Sequence, residues 1–315
     1  MRRVMIDPLL VLLAGALAFI FGWNNSSLLI GNIRASGSFG VKAAVAVSVV
    51  GLLVGAVIEG PKMLKSLNGS VAYSSPETGL AITLGLSIAF TVGLTLLKLP
   101  AAFSGIMVGS FIGAAVALHL AVNEGQILLI VSFWFVAPLI AGLVAFGLHR
   151  ATSTLLSGVS LVSVDSFNRV AILVASLAVA FVLGANNVGL IAGTAVGAGA
   201  SGEGALVAVG MAVIAALGAA LLGKGHVSDT IGDKMLSLSP QGVFAVFAGA
   251  AIAIIIGTQL QVPMSIGQAI LGGMFGSAYS QRTTVINRRV ASFTLGMWIV
   301  TPLMAFAAGY ILAAV

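Results

Sequence analysis

Apolar runs of roughly twenty residues, the length that crosses about 30 Å of hydrocarbon, follow one another along almost the whole chain. Bounded by proline, glycine and charge, ten segments read at about 8–32, 41–58, 77–97, 101–118, 127–148, 170–193, 204–223, 241–258, 263–280 and 290–313. Only 7% of the 315 residues are charged, against about 25% in a soluble domain, and the mean hydropathy is +1.17. Such a chain cannot cover a water-facing surface, so its solvent is mostly lipid. Met1-Arg2-Arg3 reads as the flank of a first span rather than a cleavable leader. The absence of cysteine removes disulfides and thiolate metal sites.

Polar residues interrupt two of these runs in the same way. FIFGWNNSSLLIG near the start is matched by FVLGANNVGLIAG at 181–193, so Gly22 pairs with Gly184 and Asn24-Asn25 with Asn186-Asn187. LLKLPAAFSGIMVGSFIG aligns with TQLQVPMSIGQAILGGMFG, pairing Pro100 with Pro263, and SFWFVAPLIAGLVAFGL aligns with TLGMWIVTPLMAFAAGYIL, pairing Pro138 with Pro302. The offsets of 162, 163 and 164 residues are nearly constant, which marks an internal duplication. The expected organisation is a first membrane repeat over 1–148, a polar linker over 149–169 and a second repeat over 170–315.

Five crossings per repeat is an odd number, so the second copy is expected to be inverted. With ten crossings, Arg2, Arg3, Lys62 and Lys65 fall on the amino-terminal side. Arg34, Lys42, Lys98, Arg150, Arg169, Lys224, Lys234, Arg282, Arg288 and Arg289 fall on the other. Positive loops stay inside, so both termini are expected outside and the linker in the cytoplasm. The net charge of +6 thus sets orientation and does not point to nucleic acid. Segments 101–118 and 263–280, each begun by a proline, are also open to a re-entrant reading.

Inverted repeats with interrupted helices in matching positions point to a transport site between the repeats. A Gly-Asn-Asn break would free backbone groups that lipid cannot satisfy, so it must face protein or a water-filled cavity. The half-helix after it would aim N–H groups at that cavity, a ready place for an anion. The plainer reading is that the asparagines and serines join helices by hydrogen bonds. The stretches LPAAFSG and VPMSIGQ add hydroxyls and backbone amides after each proline.

These landmarks resemble the inorganic phosphate transporter (PiT) family of phosphate and sulfate permeases. The correspondence runs through GWNNSSLLIGN and GANNVGLIAGT, then LPAAFSG and VPMSIGQ, then FWFVAP and WIVTP, with LGAALLGKGHVSDTIG at 217–232 similar to the stretch after that family's second span. It covers nearly the whole chain. The resemblance implies an all-α polytopic membrane fold, an inorganic oxyanion substrate and a homodimer in the bilayer. Several positions depart from it: the family's aspartate is Asn25 and Asn187, its second asparagine is Leu28 and Leu190, its glutamate is Leu52 and about Ala215, and Gln268 stands for histidine. A hard cation prefers charged oxygen ligands, so proton coupling is expected ahead of sodium, with no other cofactor.

The candidate substrate-binding residues are Asn24, Asn25, Asn186, Asn187, Ser104, Ser265, Gln268 and Arg34. A guanidinium at Arg34 can hold a tetrahedral oxyanion through two parallel hydrogen bonds, or simply reach from the end of the first span to water. Carboxylates and His119, His149 and His226 all fall near segment ends. An intramembrane enzyme needs a buried acid, base or metal set and is disfavoured. A secondary transporter of phosphate, with sulfate close behind, is expected; a passive anion channel would use the same polar breaks.

Overall fold

The computed structural model describes residues 8–67, 71–72, 76–97, 99, 102–196, 201–223, 238–281 and 288–315. Within them the regular structure is helical, joined by turns and short loops, apart from one isolated antiparallel bridge between Ala72 and Val122. That is the outcome lipid enforces, since a helix satisfies its own backbone groups. The first repeat contains α1 (Pro8–Ala35), α2 (Val41–Ile58), a 3₁₀ turn (Gly60–Met63), α3 (Glu77–Leu96), α4 (Phe103–Ala117) and α5 (Glu124–Leu155). The second contains α6 (Leu161–Leu183), a π turn (Gly184–Val188), α7 (Gly189–Val196), α8 (Ser201–Leu222), α9 (Pro240–Gln259), α10 (Ile266–Gln281) and α11 (Arg288–Ala314). With α6, the π turn and α7 taken as one rod, the described residues hold ten α-helical segments, and the all-α membrane fold is borne out. Eight are long and apolar enough to cross a bilayer.

Close glycine packing records the symmetry. Gly22 of α1 lies against the Ala215 carbonyl of α8, and its counterpart Gly184 lies against the Leu52 carbonyl of α2. Gly55 meets Phe181, while Gly218 meets Phe19. Each contact is repeated with the two repeats exchanged, as a pseudo-twofold axis requires. Further along, Gly109 and Gly113 of α4 pack on Pro302 and Phe306 of α11, and Gly272 and Gly276 of α10 pack on Pro138 and Gly142 of α5. Small residues allow such backbone approach, the main source of helix association in lipid.

The registers also fix direction. α1 runs parallel to α8, and α2 runs parallel to the α6–α7 rod. Because α2 turns back on α1 at 36–40, where Gly37 takes φ +71, the first rods of the two repeats run in opposite directions. α3 and α4 form a hairpin whose base is joined by the Ala72–Val122 bridge and by Asn123 N donating to Val71 O at 2.8 Å. α9 and α10 form its counterpart. At 15 and 16 residues, α4 and α10 rise only about 22–24 Å, short of the hydrocarbon thickness.

Two sequence expectations change in detail. The Asn-Asn stretches do not unwind: α1 is continuous through Asn24-Asn25, and Asn186-Asn187 sit in a single widened π turn. The described interruption falls at the second hairpin tip instead, where Pro263 prevents the helix from continuing; Pro100 lies outside the described residues. Of the polar interval 149–169, only 156–160 lies between helices, since α5 runs to Leu155 and α6 begins at Leu161. Gly158 at φ +80 makes that turn, and the Ser160 side chain caps α6 by accepting from Ser163 N at 3.3 Å.

Candidate substrate site

The two hairpin tips share one closing hydrogen bond. At the end of α9, Val262 N donates to Gly257 O at 2.8 Å and Gln261 N to Thr258 O at 3.1 Å, with Gln261 at φ +57. This is a Schellman turn. At the end of α3, Leu99 N donates to Leu94 O at 2.8 Å, the equivalent bond 163 residues earlier. Lys98, Pro100 and Ala101 of that first tip lie outside the described residues.

The asparagines meet these tips. Asn186 Nδ2 donates to Thr258 Oγ1 and to Val262 O, both at 3.0 Å, and its Oδ1 accepts from Met264 N at 2.8 Å. Both polar side-chain atoms of Asn186 bond the second tip, and Nδ2 also donates to Met63 Sδ at 3.7 Å. Asn187 Nδ2 donates to Met264 O at 2.9 Å. Since a carbonyl can only accept, that bond fixes the amide orientation and leaves Asn187 Oδ1 buried without a partner. In the first repeat Asn24 Nδ2 donates to Thr95 Oγ1 at 2.6 Å, the symmetry mate of the Asn186–Thr258 bond. Thr95 and Thr258 in turn donate to the carbonyls of Thr91 and Ile254. Asn25 is 9% exposed, with only a long 3.5 Å bond from its Nδ2 to Phe21 O.

The other candidates divide. Ser104 is fully buried in the first turn of α4, its Oγ without a partner. Ser265 precedes α10, and its Oγ accepts from Gln268 N at 3.4 Å. Gln268, however, borders an apolar groove between α5, α10 and α11. Arg34 is exposed at the end of α1, nine residues beyond Asn25, about 14 Å along the helix. It does not reach the tips. Among the described residues no hydrogen bond joins the asparagine set of one repeat to that of the other; each set grips its own hairpin.

Two groups escaped the sequence reading. Thr95 and Thr258 fall at equivalent positions just before the duplicated prolines, and that coincidence was the available signal. The second group is a latch. Lys62 Nζ lies 2.7 Å from Glu59 Oε2 and donates to Gln259 Oε1 at 2.7 Å, while Gln259 Nε2 donates to Glu59 Oε2 at 2.8 Å. Ser66 Oγ donates to Gln261 O at 2.8 Å beside it. The end of α2 is thereby tied to the second tip. The Lys62 hydrogen bond holds the Glu59 carboxyl below its ordinary range, against a smaller opposing effect of burial. His149, 5% exposed, sits between α5 and α10 with Nδ1 3.3 Å from Ser277 Oγ. His119, at φ +54, closes the end of α4. His226 lies outside the described residues. No group of three or more His, Asp or Glu placed to hold a metal occurs among the described residues.

Inverted repeats, exchanged packing and two pinned hairpins define a polytopic membrane protein built like a secondary transporter. The phosphate transporter family matches residues 21–163 and again 159–309, one match per repeat, and the chain belongs to that family. It is 30% identical to the sulfate permease CysP of Bacillus subtilis over 84% of this chain and 74% of that protein. A provisionally named phosphate permease of Methanocaldococcus jannaschii is 27% identical over 94% of this chain and 93% of its own. The fold is that of a solved sodium-dependent phosphate transporter, with a TM-score of 0.84, 17% identity and 97% of both chains covered.

Proposed function

We propose that this protein carries inorganic phosphate across the cell membrane by alternating access, coupled to protons and without a requirement for sodium. The observation that carries this reading is the buried, unpartnered Oδ1 of Asn187 beside a hairpin tip that Asn186 holds in place. A bare amide oxygen is an acceptor and asks for a donor. Phosphate keeps a hydroxyl proton near neutral pH and can supply one; sulfate carries none. Ser104 Oγ, also buried and unpartnered, offers a hydroxyl from the first repeat. In this reading Asn24 and Asn186 position the tips, while Asn25, Asn187, Ser104 and Ser265 face the anion. Gln268 and Arg34 lie apart from that set.

Neutral amides at Asn25 and Asn187 remove the carboxylates that would attract a sodium ion, which supports proton coupling. The described cationic positions support an orientation with both termini outside: Arg34, Lys42, Arg150, Arg169, Arg288 and Arg289 lie toward the α5–α6 connection, against Lys62 and Lys65 toward the termini. The protein is taken to work as a homodimer, as the family resemblance implies. A second reading, sulfate transport, is favoured by the identity to a sulfate permease.

Reconstitution in liposomes tests these readings together, with labelled phosphate and sulfate offered under separate proton and sodium gradients. Phosphate accumulation driven by the proton gradient and unchanged without sodium is expected. Preferential sulfate accumulation would establish the second reading. Flux that neither saturates nor concentrates would make the protein a passive channel.

A further inference from the structure

α5 and α11 are equivalent helices, yet they stand apart. Each is drawn onto the hairpin of the other repeat, α5 by Gly272 and Gly276 and α11 by Gly109 and Gly113. The gap between them is therefore built into the symmetry. It forms a groove of about 950 Å³ bordered by α5, α10 and α11. Leu139 (65% exposed) and Leu143 (73%) from α5, Tyr279 from α10, and Leu303 (63%) from α11 line it. Such exposure on spanning helices means that the groove opens sideways to lipid.

We propose that this groove binds an anionic phospholipid, its acyl chains between α5 and α11 and its phosphate held by Arg150 and Arg289. The groove ends where the Phe146 and Tyr279 rings meet, 5.9 Å apart. Arg150 lies one turn beyond Phe146 and continues the stripe of Leu139, Leu143 and Phe146. On α11, Arg289 stands six residues before the lining residue Leu295, about 9 Å along the helix and about a third of a turn around it. Both arginines are exposed, and neither has an ion pair among the described residues. α5 has no carboxylate after Glu124, and α10 and α11 have none at all. The groove thus pairs an apolar body with a cationic mouth at the end where the positive-inside asymmetry places anionic lipid. A second copy of the chain fits less well. Around a twofold axis along the membrane normal it would bring the same arginines together with no carboxylate to receive them.

Two of the three tryptophans, Trp134 and Trp298, line the groove, so the occupant can be read directly. In the Trp23→Phe background, reconstituted in nanodiscs, fluorescence is titrated with lipids carrying brominated acyl chains on either phosphatidylglycerol or phosphatidylcholine. The expected result is half-maximal quenching at a mole fraction of phosphatidylglycerol about tenfold or more below that of phosphatidylcholine. R150Q/R289Q, both surface changes, should bring the two curves together. Equal quenching by both lipids in the parent protein, or a preference that survives R150Q/R289Q, overturns the proposal. So does the absence of quenching by either lipid with cysteines at Leu139 cross-linking two copies. None of these readouts requires transport, so the lipid site and the transport reading fail independently.

Discussion

Adjacent asparagines in the second repeat have different duties. Asn186 has both amide ends committed to the tip at 258–264, whereas Asn187 spends only its nitrogen. Asn186→Ala removes its three bonds to that tip and strands the Met264 N–H and Val262 carbonyl, a loss of roughly 2–4 kcal/mol. Asn187→Ala removes one bond, roughly 0.5–1.5 kcal/mol. In detergent, Asn186→Ala should therefore lower Tm clearly more than Asn187→Ala, while only Asn187→Ala abolishes protection of Tm by added phosphate. Asn187→Asp sets a carboxylate against the Met264 carbonyl and should melt lower than wild type. Sodium, but not choline, should recover part of that loss by supplying the missing countercharge. A melting temperature for Asn187→Asp that ignores sodium would show that this oxygen does not face a space an ion can enter.

At the scale of an element, the second hairpin is held from two directions: by Asn186 and Asn187 from within, and by Glu59, Lys62 and Gln259 from the end of α2. The latch titrates. Because the folded pKa of Glu59 is lowered, its contribution is fully present above the unfolded glutamate pKa. It is lost as pH falls through the lower folded value. Protection of the amides at 260–262 and 264, measured relative to the intrinsic exchange rate at each pH, is therefore expected to be high at neutral pH and to fall in acid. Glu59→Gln should exchange faster at neutral pH and lose that acid dependence, while exchange in α4 stays unchanged. The first hairpin offers a comparison, because the positions equivalent to Glu59 and Lys62 are Leu222 and Gly225. The repeats share their packing but not this tie.

For the whole molecule, the exchanged glycine contacts mean that neither repeat is a domain standing alone. Each hairpin packs on the last helix of the other copy, and motion of one hairpin must be registered across the axis. A cysteine introduced at Ser157, exposed between α5 and α6, should be labelled by impermeant reagents in inside-out vesicles and not in intact cells. Labelling from outside would reverse the orientation while leaving the inverted relation intact.

The chain's periodic record was enough to determine the ten segments and the duplication, because lipid allows few backbone solutions and the offset of about 163 residues links equivalent contacts as well as equivalent letters. The inversion hung on whether segments 101–118 and 263–280 cross, and the packing directions of α1, α2, α6 and α8 decided it. Asn24 and Asn186 could be singled out by their repetition, but not what they do. An asparagine in a helix reads the same whether it breaks the helix, joins it to another or meets a substrate. The choice depends on which acceptor stands opposite, and for Asn186 that is a tip 72–78 residues away. The same holds for Gln268, which follows a site motif yet borders an apolar groove, and for Glu59, Lys62 and Gln259, which become neighbours only when α2 and α9 end together. Apolar periodicity is a property of the chain and survives in the sequence. Partnership between distant polar atoms is created by packing, and only the tertiary structure decided it.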